Sequence, residues 1–267
     1  MKQYMFIILG ILLFLGCINL SGEKSNQEQD KNEFFDLLSK YDETVDGDFK
    51  IVKEITFEAD YDLGVTLAII TIAKKGDLYK FESNTDDGWD DLTILADNHN
   101  YNCFNEHCLD MGDSNSYDEE QILKVVSAPA KSPGVFGVYD PSFVVPKLTE
   151  YVDYNKIYKI TKTGEKTFAG RKCTEFQVVF DEEYITSALE SNKLANDFYK
   201  EAVSNAVSEF DPWLECIDKE TGIVLYWDIT FNFKYLEESE TIHTVSKVKE
   251  FSTIVSDSEF ELPYAIK

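Results

Sequence analysis

Between Ile223 and Phe233 every second residue is large and apolar: Ile223, Leu225, Trp227, Ile229, Phe231 and Phe233, separated among others by Tyr226, Asp228, Thr230 and Asn232. A β-strand turns successive side chains to opposite faces, so this spacing predicts a strand with one side on a core and the other toward water. Phe49, Ile51, Ile55 and Phe57, set against Lys50, Glu54 and Thr56, repeat the pattern. Leu63 to Ala73 is apolar on both parities, which predicts a central strand covered on both sides. Shorter strand candidates are Leu78 to Ser83, Leu92 to Ala96, Asn100 to Phe104, Lys156 to Thr161, Cys173 to Phe180, Leu214 to Asp218 and Thr241 to Phe251, and the turn Lys219-Glu220-Thr221-Gly222 joins two strands as a hairpin. Strands this closely spaced, without regularly alternating helices, predict an antiparallel sheet.

Three segments have helical spacing instead. Glu33 to Tyr41 places Phe34, Leu37, Leu38 and Tyr41 on one stripe, and a second candidate follows Pro141, with Pro146 limiting its first turns. The longest runs from Glu183 to Phe210, with an expected break at Ser191-Asn192 and Pro212 closing it. An apolar stripe of that length must lie on the sheet rather than face water. The fold class is therefore α+β.

The N-terminus reads differently. After Met1 and Lys2 an apolar run extends from Tyr4 to Leu15, too short to span a bilayer but suited to a secretory signal. Gly16-Cys17 follows, and the arrangement resembles a lipoprotein signal peptide, in which the cysteine becomes the lipidated N-terminus; an ordinary signal or an uncleaved anchor is the alternative. Either way the remainder lies outside the cytoplasm. The expected organisation is a signal peptide over 1–16, a lipid-anchored flexible tether over 17–32, rich in Ser, Asn, Gln and charge, and one domain over 33–267 that includes the helical segment 183–210.

Setting Cys17 aside leaves Cys103, Cys108, Cys173 and Cys216, an even set suited to an oxidising compartment. A hairpin through YNCFNEHCLDM would place Cys103 opposite Cys108, leaving Cys173 to pair with Cys216. The alternative is a zinc site, since His99, Cys103, His107 and Cys108 are all zinc-ligand types in one short stretch. Four ligands so close in sequence would have to close a shell without a second element, which favours disulfides, and no resident metal is expected.

With 25 Lys plus Arg against 50 Asp plus Glu, the chain of 267 residues carries a formal charge of −25. A phosphate backbone is bound through displaced counterions and needs a basic footprint, so nucleic acid is excluded as a general partner. One arginine, Arg171, argues against a phosphate clamp. Three histidines and the absence of nucleophile-elbow, zinc-protease and phosphate-loop motifs make a catalytic role a poor reading, and no cofactor is implied. The acidic stretch Asp86-Asp87-Gly88-Trp89-Asp90-Asp91 offers calcium-type oxygens, but its glycine is out of register for an EF-hand; a solvated turn is the simpler expectation.

The order of elements, the ending FELP at Phe260 to Pro263, and the segments KTGEKTFAGRKCTEFQVVF and CIDKETGIVLYWDITF resemble the lipoprotein-carrier superfamily of LolA, LppX and RseB type over residues 33–267. The bias to Lys, Ile, Asn and Tyr with strong acidity suits an archaeal surface lipoprotein of that type. The resemblance implies a strongly curved antiparallel sheet, an open half-barrel, with helices on its concave side. It implies an extracytoplasmic protein, anchored to the outer face of the cell membrane, that binds a lipid or isoprenoid-like ligand without catalysis. Ile185, Leu189, Phe198, Tyr199, Val203 and Val207 would then line the site together with Trp227, Ile229 and Phe231. The alternative is an interaction or sensor protein whose side chains fill the cavity and which meets an envelope protein. The leader makes its own prediction: Cys17→Ser should release the protein into the medium or leave it unprocessed, and a normally cleaved, still membrane-associated variant on fractionation would refute lipidation.

Overall fold

The computed structural model describes residues 26–59, 65–86, 88, 90–96, 99–104, 107–113, 153–192, 200, 207–208, 210–235 and 238–266. Cys17, the candidate helix after Pro141 and most of the segment after Asn192 lie outside these residues. The eleven strands are β1 (Phe49–Ala59), β2 (Val65–Lys75), β3 (Leu78–Thr85), β4 (Asp90–Ala96), β5 (His99–Phe104), β6 (His107–Asp113), β7 (Tyr158–Phe168), β8 (Arg171–Phe180), β9 (Trp213–Asp218), β10 (Val224–Tyr235) and β11 (Glu238–Ser252). They form one open antiparallel sheet in the order β6-β5-β4-β3-β2-β1-β11-β10-β9-β8-β7. Two runs of antiparallel strands that neighbour in sequence order, β1 to β6 and β7 to β11, are thus joined through a pairing of β1 with β11, across almost the whole chain. The sheet also curls: β7 comes within 8 Å of β11 although three strands separate them, and Phe168 of β7 stacks on Tyr226 of β10 at 5.0 Å.

Two α-helices are described from end to end among the described residues. α1 spans residues 26–46 and α2 spans Glu182–Ser191. The break expected at Ser191-Asn192 is the end of α2, where Asn192 leaves helical geometry. α2 starts with Asp181 accepting a hydrogen bond from the Tyr184 N–H, an N-cap that satisfies one of the helix's free donors. α1 begins seven residues earlier than the amphipathic stripe predicts, inside the segment expected to be a flexible tether. The reason is tertiary. Asp30 accepts from the backbone N–H of Lys162, Lys31 donates to the carbonyl of Tyr158, and Glu33 holds the Lys162 ammonium at 2.7 Å. These contacts give a polar segment partners that it lacks alone, and they occupy main-chain groups of β7, an edge strand of the kind that otherwise invites pairing with another chain.

α1, about 30 Å long at helical rise, crosses one face of the sheet. Phe34, Leu37 and Leu38 share a core with Ile160, Phe176 and Val178, whereas Tyr41 and Val45 share one with Ile51, Ile72 and Leu95. Its middle rests on the β9–β10 turn. Gly222 has φ +70°, and a Cβ there would lie 2.4 Å from the Leu37 carbonyl oxygen and 2.6 Å from the Tyr41 nitrogen. The turn is built by Asp218, 1% exposed, whose carboxylate accepts from the Glu220 and Thr221 N–H groups and from Arg171. Burial, the largest single influence, pushes the Asp218 carboxyl up, but the hydrogen bonds from Arg171, Thr221 and Glu220 together outweigh it and hold the group below the usual carboxylate range. The structure pairs Cys173 with Cys216 and Cys103 with Cys108, across β8–β9 and β5–β6 respectively. β6 and the polar second half of β7 have no alternating apolar signal, and both exist as strands because a hairpin partner supplies their hydrogen bonds.

Gly222→Ala should therefore lower stability by about 2 to 4 kcal/mol, combining a left-handed residue with overpacking against backbone. Urea unfolding measures it. A loss below a few tenths would mean that α1 does not seat on this turn.

Candidate ligand-binding face

The strand registers place side chains from several strands in rows on the helix-bearing face. One row reads Phe176, Glu215, Trp227, Ser246, Ile55 and Ala68, from β8 to β2; beyond it Val178 stands beside Trp213, and Ile229, Thr244, Phe57 and Thr66 form a second row from β10 to β2. Above these rows lie the helices. Ile185 and Leu189 of α2, with Val207, Trp227 and Ile229, are 1% to 7% exposed and belong to one cluster with Phe34, Leu37 and Leu38 of α1. Five of the nine residues expected to line a ligand site are thus brought together. Phe198, Tyr199 and Val203 lie outside the described residues, and Phe231 is placed on β10 without a described side chain.

Aromatic rings fill much of the α2 end. Tyr158 meets Trp213 edge-on at 5.8 Å, Phe180 lies 5.3 Å from both Tyr158 and Trp213, and Phe210 meets Phe180 at 5.5 Å. Such contacts add modestly to the stabilisation from area burial alone. Toward β1–β3 the same face is looser: Phe57, Ile70 and Phe81 are only half-buried.

Alternation did not single out the polar groups inside this face. Lys53 and Glu215 are 1% and 0% exposed, and Thr244 and Ser246 are equally enclosed. The Trp213 indole donates to Glu215 Oε1 at 2.8 Å. Burial pushes the Lys53 ammonium down to about 8, offset in part by the negative charge of Glu215. A signal for Lys53 was present, since it sits on the inward parity of Phe49, Ile51, Ile55 and Phe57. Glu215 likewise stands between Trp213 and Ile217. A charged residue at an inward position is costly unless it has partners, and is worth noting for that reason.

On the opposite face the Tyr226 hydroxyl donates to Asp228 Oδ2 at 2.9 Å, and His243 Nε2 lies 2.8 Å from Asp228 Oδ1. Burial, then the hydrogen bond to Asp228, push the Tyr226 phenol up to about 12. The zinc alternative does not survive: Cys103 and Cys108 are bonded to each other, and His99 Nδ1 is engaged by Asp110 at 2.9 Å. Among the described residues no group of His, Cys, Asp and Glu could hold a metal ion, and no helix is long and apolar enough to cross a membrane.

No family model matches the sequence, and no curated protein matches it. Solved structures do. LprF from Mycobacterium bovis aligns over 88% of this chain and 98% of its own, at 9% identity and a TM-score of 0.41. The lipoprotein LppX from Mycobacterium tuberculosis aligns over 80% and 95%, at 12% identity and 0.33. A LolA superfamily protein from Nitrosomonas europaea aligns over 86% of this chain and 98% of its own, at 9% identity and a TM-score of 0.29. Pseudomonas aeruginosa MucB, in complex with MucA, aligns over 85% of this chain, which spans 60% of the matched chain, at 12% identity and 0.38. The archaeal origin suggested by composition has no support in these comparisons.

The buried charges generate a test. Lys53→Met should cost about 3 to 5 kcal/mol by leaving Glu215 enclosed without its compensating charge, and adding Glu215→Gln should recover most of the loss. The sign with pH follows from the lowered value. Between pH 8 and the ordinary lysine range the unfolded chain binds more protons at Lys53 than the folded chain, so this group adds stability as pH rises through that window. Chemical unfolding of wild type and Lys53→Met across it should give a steeper rise for wild type; parallel curves would contradict a buried, depressed lysine.

Proposed function

We propose that this chain is an extracytoplasmic, lipid-anchored, non-catalytic protein that binds an apolar ligand, a lipid or isoprenoid-like chain, between the helix-bearing face of its sheet and the helical segment 183–210. The reading rests on one observation. Phe57, Ile70 and Phe81 are half-buried on the same surface that carries Trp227 and Ile229, with Ile70 and Phe81 at the margin of the core that Tyr41 and Val45 of α1 enter. Partly buried apolar side chains on one face of a sheet are the kind of lining that a ligand of this class requires. Two disulfides suit the oxidising compartment to which the leader would deliver the chain. The proposed lining joins Ile185, Leu189, Phe198, Tyr199, Val203 and Val207 of the helical segment to Trp227, Ile229 and Phe231 of β10. Cys17 carries the anchor.

A second reading has its own support. Ile185, Leu189, Val207, Trp227 and Ile229 already interdigitate with α1 as a closed core, which favours an envelope interaction or sensor protein whose interior is filled by side chains.

Native mass spectrometry of the purified full-length chain, with titration of cis-parinaric acid, separates the two. The carrier-like reading expects co-purified lipid and saturable probe fluorescence. Phe57→Asp or Ile70→Asn should then weaken binding about tenfold, because a charge or amide would replace buried apolar contact. Absence of lipid and of probe binding by the wild type would reject the apolar ligand in favour of the filled interior.

A further inference from the structure

The face of the sheet away from the helices carries a groove that the apolar-ligand reading does not use. Its volume is about 800 Å³, and it runs between β3–β5 and the C-terminal segment 258–264. Register puts its walls in consecutive rows: Asn84 beside Asp90, Glu82 beside Leu92, Lys80 beside Ile94, and Leu92 beside Cys103. The segment is held by Phe260, buried against Ala73, Ile94 and Val255, and by a parallel bridge from Ile266 to Cys108. Lys80 is engaged by Glu82 at 2.9 Å and lies 3.8 Å from Glu259, which Lys50 also holds at 2.7 Å. Asp90 and Glu261 make no ion pair among the described residues, so the groove keeps uncompensated negative charge above an apolar floor.

Two of its lining residues are apolar and exposed, Phe104 at 45% and Tyr264 at 43%, and two more of the six large hydrophobic residues exposed among the described residues, Met111 on β6 and Ile266 bridged to β6, lie at the same edge of the sheet. Isolated exposed side chains mean little, but a concentration beside a groove marks a contact surface.

We propose that this groove receives an extended basic segment of a partner polypeptide, its lysines or arginines meeting Glu82, Asp90 and Glu261 and its apolar residues meeting Leu92, Phe104 and Tyr264. Charge complementarity selects the occupant. The carboxylates repel nucleic acid and anionic headgroups, and they are spread along the groove rather than converged on one point, which suits cations spaced along a chain. Exposed aromatic faces beside them suit the same cations. The proposal goes beyond the apolar-ligand reading and stands whatever the interior binds.

Fluorescence anisotropy on the full-length chain in nonionic detergent tests it, with a labelled peptide of about ten residues alternating lysine and leucine, near physiological ionic strength where long-range attraction is screened. The triple variant Glu82→Gln, Asp90→Asn, Glu261→Gln should bind about tenfold more weakly than wild type, the scale of three modest ion pairs. Removing three charges elsewhere, by Glu182→Gln, Glu183→Gln and Glu190→Gln on exposed positions of α2, controls for net charge and should leave affinity within about twofold. Phe104→Ser with Tyr264→Ser should also weaken binding while thermal unfolding stays near wild type. Equal losses from the two triple variants would reduce the interaction to bulk charge and overturn the proposal, as would a wild type that does not bind the peptide.

Discussion

The seat of α1 on the β9–β10 turn ties together parts of the sheet that are far apart in sequence. Gly222 has no side chain, and the helix backbone occupies the space where one would be. Asp218 fixes the turn from below, Lys40 donates to the Lys219 carbonyl, and the Thr44 hydroxyl donates to the Thr221 carbonyl. With its middle held there, α1 presents Phe34, Leu37 and Leu38 to β7–β10 and Tyr41 and Val45 to the β1–β4 side. A single polar turn thus decides where the apolar stripe of a helix meets the sheet. The chain's one arginine is used in that turn, engaging Asp218 and Glu220, rather than in recognition of an anion.

The two faces of the sheet divide the chemistry. The helix-bearing face buries aromatic and branched aliphatic side chains but also Lys53 and Glu215, which hydrophobic burial alone would exclude. Enclosing two charges costs several kcal/mol each before their attraction and hydrogen bonds are counted, so their presence limits how freely that interior can be repacked. The far face carries ion pairs, the Tyr226, Asp228 and His243 network, and the groove under the C-terminal segment. An acidic groove and an apolar interior on opposite faces can act on different molecules without competing for the same residues.

The edges show how an open sheet of this size remains a single unit. β7 has main-chain groups occupied by Asp30 and Lys31 from α1, and β6 meets the last residues of the chain at Cys108. Both devices are supplied by the chain's own terminal segments. Their sequences are polar or irregular, and nothing in their periodicity announces the task.

Period-two spacing, read alone, located β1, β10 and most shorter strands, because burial of one face leaves its mark directly on residue order; a run apolar on both parities located β2, although its first half is only partly covered rather than enclosed on both sides. Cysteine spacing suggested the two links for the same reason: a hairpin places Cys103 beside Cys108. Of the ligand face, the apolar members on α2 and β10 were legible as stripes. What the sequence could not decide was whether those stripes line a ligand space or meet each other, since both need the same apolar residues. Tertiary structure alone placed α1 over the β9–β10 turn, began it at residue 26, joined β1 to β11, and put Lys53 and Glu215 on one enclosed face. Each of these depends on partners distant in the chain: a polar residue's pattern is the same in water or in a core, and only the fold determines what surrounds it.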